Sequence, residues 1–199
     1  MDDIVKQALA KWPNVPYCYG WLGLDARGNW RMRDERAQHL NLPGDKLTHA
    51  SLVSFIVRNY AADERGCWYF QNGPQRVYVR LEATPYIVRT DPAEGWTLHT
   101  GATLGAIDEA VLTESGALVL RSGDVVAQLD DRDFASVLPL MHMDGGAVQD
   151  EALLEWIESS TASGELVLSD RGRVVPLQRL AGDQLAPHFG YISEPSAPT

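Results

Sequence analysis

Two cysteines in 199 residues, Cys18 and Cys67, are too few for a disulfide framework. The compartment this predicts is cytoplasmic, with both thiols reduced. No apolar run approaches the ~18 residues that would span a bilayer; "LVSFIV" stops at Arg58. The opening "MDDIVKQALAKW" is acidic and amphipathic, unlike a secretory signal, so no membrane association is expected. There is no P-loop, GxGxxG, GxSxG, CxxC or HExxH. Cations are scarce after residue 98: five Lys and Arg face 16 Asp and Glu, whereas residues 1–98 hold 12 against 11. The net charge of −10 repels a phosphate backbone, which argues against duplex nucleic acid as a partner. Aromatic residues follow the same skew, with 13 of 17 in the first 98 residues.

What is present is alternation and turn signals. Residues 2–12 predict a helix presenting Ile4, Ala8 and Trp12, with Val5 and Leu9 beside them, and Pro13 and Pro16 end it. "YCYGWLGLD", the turn "ARGN" and "WRMRD" read as two strands, and "HLNLPGDKL" as a loop. Thr48 is placed to cap a helix whose buried stripe is Leu52, Val53, Phe55, Ile56 and Tyr60. Strands at 67–71 and 76–82 flank the turn "NGPQ", and "YIVR" comes after Pro85. The turn-rich "TDPAEGW" marks a boundary. Beyond it come three short strands, a helix through "RDFASVLPLM" capped by Asp130 or Asp131, a helix over "QDEALLEWIESS", a hairpin "ELVLS"/"RVVPLQRL" and a last strand "HFGYI".

The two halves repeat. "LDARGNWRM" matches "LTESGALVL", with Gly28 over Gly116. "HASLVSFI" matches "DFASVLPL", with Ala50 and Ser51 over Ala135 and Ser136. "GCWYFQN" matches "GELVLSD", with Gly66 over Gly164, and Arg76-Val77 falls over Arg173-Val174. The offsets, 88, 85, 98 and 97, change by loop-sized steps. The expected fold is α+β, an antiparallel-strand plus helix unit duplicated and packed into one compact body. Its parts are an N-terminal helix (1–16), a first repeat (17–98), a second repeat (99–192) and a disordered tail (193–199).

The segments "GNWRM", "THASLVSFIVRNY" and "GCWYFQNGPQRVYVRLEATPYIV" resemble a family of small proteobacterial proteins known as a domain of unknown function. They are similar, more distantly, to a second such family with a duplicated α+β fold whose C-terminal half looks like a pleckstrin-homology domain. For that second family a nucleotide-like ligand between the halves and a signalling role have been suggested. The resemblance implies the fold; no binding motif matches here, so no residue is carried over from it.

Chemistry-bearing clusters are few. Cys18 and Cys67 lie in strands between aromatics, as buried structural thiols do. "MHMDGG" offers soft ligands in a row, but Met141 and Met143 at a helix end read as core filling, and no metal or cofactor is expected. "LDDRDF" lacks the Gly and late Glu of a calcium loop. The acidic residues of the second half read as a solvated face. "QRVYVR" places Arg76, Tyr78 and Arg80 on one strand face and Val77, Val79 and Leu81 on the other. An Arg–aromatic–Arg face holds an anion and stacks on a planar group. Trp30, and His49 at a helix start, are its expected supports. The first reading is a non-catalytic module for a small anionic or nucleotide-like ligand, with a regulatory role. A protein–protein adaptor or homodimer using the aromatic first half is the second. An enzyme ranks last, since no constellation supports one.

Overall fold

A computed structural model describes residues 1–93, 95–159 and 164–197. The chain is α+β and divides into two compact units, residues 1–85 with the segment from Gly190 onward, and residues 86–189.

The first unit runs α1 (Asp3–Lys11), β1 (Cys18–Leu24), β2 (Trp30–Met32), α2 (Glu35–His39), β3 (Asp45–Lys46), α3 (Ala50–Arg58), β4 (Tyr60–Ala62), β5 (Trp68–Asn72) and β6 (Gln75–Leu81). Its sheet has the order β3-β2-β1-β6-β5-β4. β1 and β6 lie parallel at the centre and every other neighbour is antiparallel. Strand periodicity then sorts the side chains. Leu22, Leu24, Trp30, Phe70, Val79 and Leu81 are buried and share one face, the core face, with α3 set against it through Phe55 on Phe70 (5.3 Å between rings). Arg31, Arg76, Tyr78 and Arg80 share the other.

Several expectations are corrected here. α2 forms just before the stretch read as a loop, where the Asp34 carboxylate accepts a hydrogen bond from the Ala37 N–H (2.7 Å) and closes the helix start, and that stretch itself contributes β3. In α3 the N-cap is His49 rather than Thr48, and Tyr60 leaves the helix to begin β4. Leu52 of the predicted stripe is exposed. In α1 the buried residue is Val5, while Ile4 and Trp12 stand 72% and 51% exposed.

The second unit continues with β7 (Tyr86–Asp91), β8 (Gly95–Leu98), β9 (Glu109–Leu112), β10 (Leu118–Ser122), β11 (Val125–Leu129), α4 (Phe134–Val137), β12 (Met141–Met143), β13 (Gly146–Ala147), α5 (Asp150–Glu158), β14 (Leu166–Asp170), β15 (Arg173–Arg179) and α6 (Leu185–Phe189). The single helix expected through "RDFASVLPLM" is one short α-turn between two 3₁₀ turns, as Pro139 has no N–H to continue it. Met141–Met143, expected at a helix end, is a strand. "HFGYI", expected as a strand, is the end of α6 and then Gly190 at φ +73°. The nine strands are ordered β13-β12-β14-β15-β9-β10-β11-β7-β8. The sheet curls until the buried Trp96 of β8 donates its indole N–H to Asp170 at the end of β14 (3.0 Å). Leu112, Leu120, Val137, Met141, Leu168 and Leu177 pack in the same core.

The six-strand order of the first unit recurs inside the second as β11-β10-β9-β15-β14-β12. The registers agree too. Leu24 opposite Trp30 becomes Leu112 opposite Leu118, and Leu22 beside Val79 becomes Ala110 beside Leu177. The turns match: Gly28 N–H donates to Asp25 O (3.0 Å) and Gly116 N–H to Thr113 O (2.9 Å). The two late hairpins close with Asn72 opposite Gln75 and Asp170 opposite Arg173. Arg76 therefore falls over Val174, not Arg173, a one-residue correction.

The boundaries also move. β7 and β8 form a hairpin whose turn is the supposed linker, and β7 pairs parallel with β11, so residues 86–98 belong to the second unit rather than to 17–98. The chain end returns to the first unit rather than closing a second repeat at 192. Ile192 N–H donates to Gly66 O (3.0 Å) and Leu81 N–H to Ser193 O (2.8 Å). The expected disordered tail is thus hydrogen-bonded at its start; residues 198 and 199 lie outside those described.

Gly66 sits at φ +80°, and a Cβ there would meet Gly190 O at 2.3 Å, whereas one on Gly116 (φ +79°) would meet nothing. Gly116→Ala should therefore cost only the left-handed strain, about 1–2 kcal/mol, and Gly66→Ala about 3 kcal/mol because backbone must also shift. Urea denaturation of both variants measures the difference, and equal losses would refute the contact.

Burial draws His99 from its usual 6.5 to about 4, and the Ile87 N–H donates to its Nδ1 (3.2 Å). Between pH 6.5 and 4 the unfolded chain takes up a proton that the folded chain refuses. Stability contributed by neutral His99 is present above pH 6.5, falls through this window and levels off below about 4. The shift corresponds to about 3 kcal/mol. His99→Gln should lose this part of the pH dependence when urea midpoints at pH 7 and pH 4.5 are compared; identical pH responses would count against it.

Candidate functional site

The strand face opposite the core of the first unit is built of tyrosine and arginine. Tyr78 lies at its centre, 2% exposed. Tyr19 stacks on it in parallel at 4.6 Å, and Tyr17 and Tyr69 meet it edge-on, each at 5.8 Å. Its hydroxyl donates to Asp63 Oδ2 (2.9 Å). Asp63 also accepts from the N–H groups of Arg65 (3.0 Å) and Cys67 (2.9 Å) in the turn between β4 and β5. Burial acts to raise the Asp63 carboxyl, but these donors outweigh it and hold it below its usual range. Burial in turn pushes the Tyr78 phenol up. Strand alternation predicts Tyr78 as an exposed ligand contact; the rings around it make it the floor of the face instead.

The guanidinium groups stand around this floor. Arg76 lies over the Tyr69 ring (4.4 Å) and the Tyr17 ring (5.5 Å). Arg80 donates through Nε to Glu194 Oε1 (2.7 Å). Arg31 pairs with Asp25 (2.8 Å). Arg33, which sequence reasoning missed, is 6% exposed. It donates to Leu42 O (3.0 Å) and Asn41 Oδ1 (3.4 Å), and among the described residues no carboxylate pairs with it. Burial draws its guanidinium below the usual range, Arg80 adds to that, and Glu194 opposes it. The signal that could have found Arg33 is plain alternation: "WRMRD" puts Arg31 and Arg33 on the face opposite Trp30.

Three clefts lie along this face, each sharing lining residues with the next. One, of about 480 Å³, is lined by Tyr17, Asp63, Arg65, Tyr69, Arg76 and Tyr78. The next, of about 260 Å³, is lined by Gly20, Arg33, Gln38, Tyr78, Arg80 and Glu194. The third, of about 290 Å³, shares Arg33 and Arg80 and reaches Gly23, Asp25 and Arg31. Gly20, at φ +83°, is what admits Gln38, whose Oε1 lies 2.5 Å from where a Cβ would be.

Of the five expected residues, the structure brings together Arg76, Tyr78 and Arg80. Trp30 is on the core face, buried, its ring edge-on to Tyr60 at 5.1 Å, because it pairs with Leu24. His49 caps α3, which packs on that same core face, and its Nδ1 lies 3.0 Å from Ser51 Oγ. Neither lines any of the three clefts. Cys67 is buried and Cys18 half-buried, both as free thiols. Among the described residues no three His, Cys, Asp or Glu gather as metal ligands, and no helix is long and apolar enough to cross a membrane.

No curated protein matches the chain. Among solved structures, a DUF1285 family protein from Silicibacter pomeroyi DSS-3 is similar, with a TM-score of 0.50 and 16% identity, covering 83% of this chain and 84% of that one. At this identity the likeness is one of fold. A second DUF1285 family protein, from Shewanella baltica OS155, matches at TM-score 0.40 and 14% identity over 58% of this chain and 88% of its own. A family model described as "Protein of unknown function (DUF2946)" matches residues 1–196. With nearly the whole length inside that match, the chain belongs to this family of proteins of unknown function.

Proposed function

We propose that the arginine face of the first unit binds a small anionic, nucleotide-like ligand, in a non-catalytic and regulatory role in the cytoplasm. The observation that carries this is Arg33, a buried guanidinium without a carboxylate, beside Arg80. A buried cation costs several kcal/mol unless an anion compensates it. The other copy of the fold supplies the comparison. Arg121 stands where Arg33 does and pairs with Glu109 (2.8 Å) across the strands, while the position of Glu109 in the first unit is Trp21.

The spacing supports the shape of the ligand. Arg76 and Arg80 are four residues apart on one strand, about 13 Å, roughly the length of a nucleotide. A planar group fits the cleft of Tyr17, Tyr69 and Arg76, and its anionic end meets Arg33 and Arg80, with Tyr78 as the floor between.

Calorimetric titration with inorganic phosphate, pyrophosphate and nucleoside mono- and triphosphates tests this. At 100-fold its Kd a ligand should stabilise the protein by about 2.7 kcal/mol. Arg33→Gln and Arg80→Gln should each weaken binding at least tenfold, about 1.4 kcal/mol. Arg33→Gln should leave the ligand-free protein no less stable, since it removes an uncompensated buried charge. No heat with any of these anions, or equal affinities in the variants, would refute the reading.

A docking role is the second reading, and the N-terminal segment favours it, with Ile4 of α1 and Trp12 at its C-cap both uncovered. For a homodimer through this segment, light scattering should give twice the 22.0 kDa chain mass, reverting to one chain in Trp12→Glu; a monomeric wild type would exclude it.

A further inference from the structure

The middle cleft, which Arg33 and Arg80 line, is bounded on one side by the chain's own C-terminal segment. Tyr191 is buried, and the backbone bonds from Ile192 to Gly66 and from Leu81 to Ser193 anchor the segment at its root. From Ser193 the segment turns across the arginine face. Glu194 presents its carboxylate to Arg80 (2.7 Å), Glu194 and Pro195 line the cleft that Arg33 enters, and Arg65 Nη1 donates to Ser196 O (3.4 Å).

We propose that this segment is an internal competitor: the Glu194 carboxylate occupies the position of the ligand's anionic group on Arg80, and ligand binding displaces it. The inference rests on the anion-binding reading of the same face. Three features make the segment suited to yielding. The Glu194 side chain is 67% exposed, so the ion pair is a solvated one that little holds in place. Among the described residues the last backbone anchor is at Ser193, so residues 194–197 can swing away without breaking the strand-end bonds. The tether farther along, at Ser196, is a long bond from an exposed arginine. A carboxylate also carries less charge than a phosphate, so an incoming phosphoryl group meets Arg80 and Arg33 on better terms than the occupant it replaces.

The experiment is a titration of inorganic pyrophosphate into the full chain, into Glu194→Gln and into a chain ending at Ser193. Glu151→Gln, an exposed carboxylate of α5 in the other unit, controls for the loss of one negative charge. Removing a competitor held by a solvated ion pair should tighten binding about threefold to fivefold in both Glu194→Gln and the shortened chain, with no change in Glu151→Gln. Equal affinity in the full chain and both tail variants would overturn the competitor while leaving the anion site standing. So would the same gain in Glu151→Gln, which would make the effect one of net charge. Binding in none of the four proteins, either of pyrophosphate or of the nucleoside mono- and triphosphates titrated in its place, would overturn the anion site and the competitor together.

Discussion

Each copy of the fold depends on one pairing: its first strand lies parallel beside its last. A parallel pair cannot be closed by a tight turn, so the chain between the two strands must cross over. The crossover carries the helix that covers the core face, and the hairpins at either end add the flanking antiparallel strands. With Leu22 beside Val79 in one copy and Ala110 beside Leu177 in the other, the central register is the same. That register decides the rest. A slip of one residue would turn every side chain of β6 over, sending Val79 and Leu81 to the open face and Arg80 into the core.

The same pairing allows the two copies to be compared residue against residue. Gly23 lies beside Arg80 in the first, and Val111 beside Gln178 in the second. One copy has a missing side chain next to a cation, and the other a branched side chain next to a neutral amide. Arg33 lacks the carboxylate that Arg121 has in Glu109, which His188 also approaches (2.6 Å). Tyr69 and Tyr78 are replaced by Val167 and Pro176, so the aromatic floor is absent as well. The second copy pairs Arg121 internally, although Arg179 keeps Nε and Nη2 buried without a hydrogen-bond partner, lying over the Trp156 ring (4.1 Å). The first leaves a concave, basic and aromatic face that a stability argument alone does not explain, since a hydrophobic replacement of Arg33 would cost less to bury.

Much of this is legible in the sequence. The duplication is visible in the Gly28 and Gly116 turns because a left-handed turn position leaves a residue-type signature. The face carrying Arg76, Tyr78 and Arg80 is visible because strand alternation has period two. What period cannot reveal is which face a third element covers. Tyr78 has the pattern of an exposed residue and is buried by Tyr17, Tyr19 and Tyr69 from neighbouring segments, two of which lie more than fifty residues away in the chain. Trp30 reads as a support of the binding face and lies on the opposite one, because the pairing of β2 with β1 is a tertiary fact. Arg33 escapes notice because nothing local says that a guanidinium in "WRMRD" is buried; the lids over it, Asn41 and Leu42, come from a loop.

The C-terminal segment shows why composition misleads at a chain end. "SEPSAPT" has little apolar surface to bury, which is the mark of a disordered stretch. Order here needs no apolar surface. The start of β5 and the end of β6 leave backbone groups unpaired, Gly66 O and Leu81 N–H, and buried backbone groups require partners. Ile192 and Ser193 supply them. Gly66 and Gly190, the first with no Cβ to keep the second away, let the chain approach closely enough to do so. The anchoring is therefore a property of the strand ends rather than of the tail. It also sets where Glu194 falls, one residue beyond the last anchor and within reach of the arginine that projects from the same strand end.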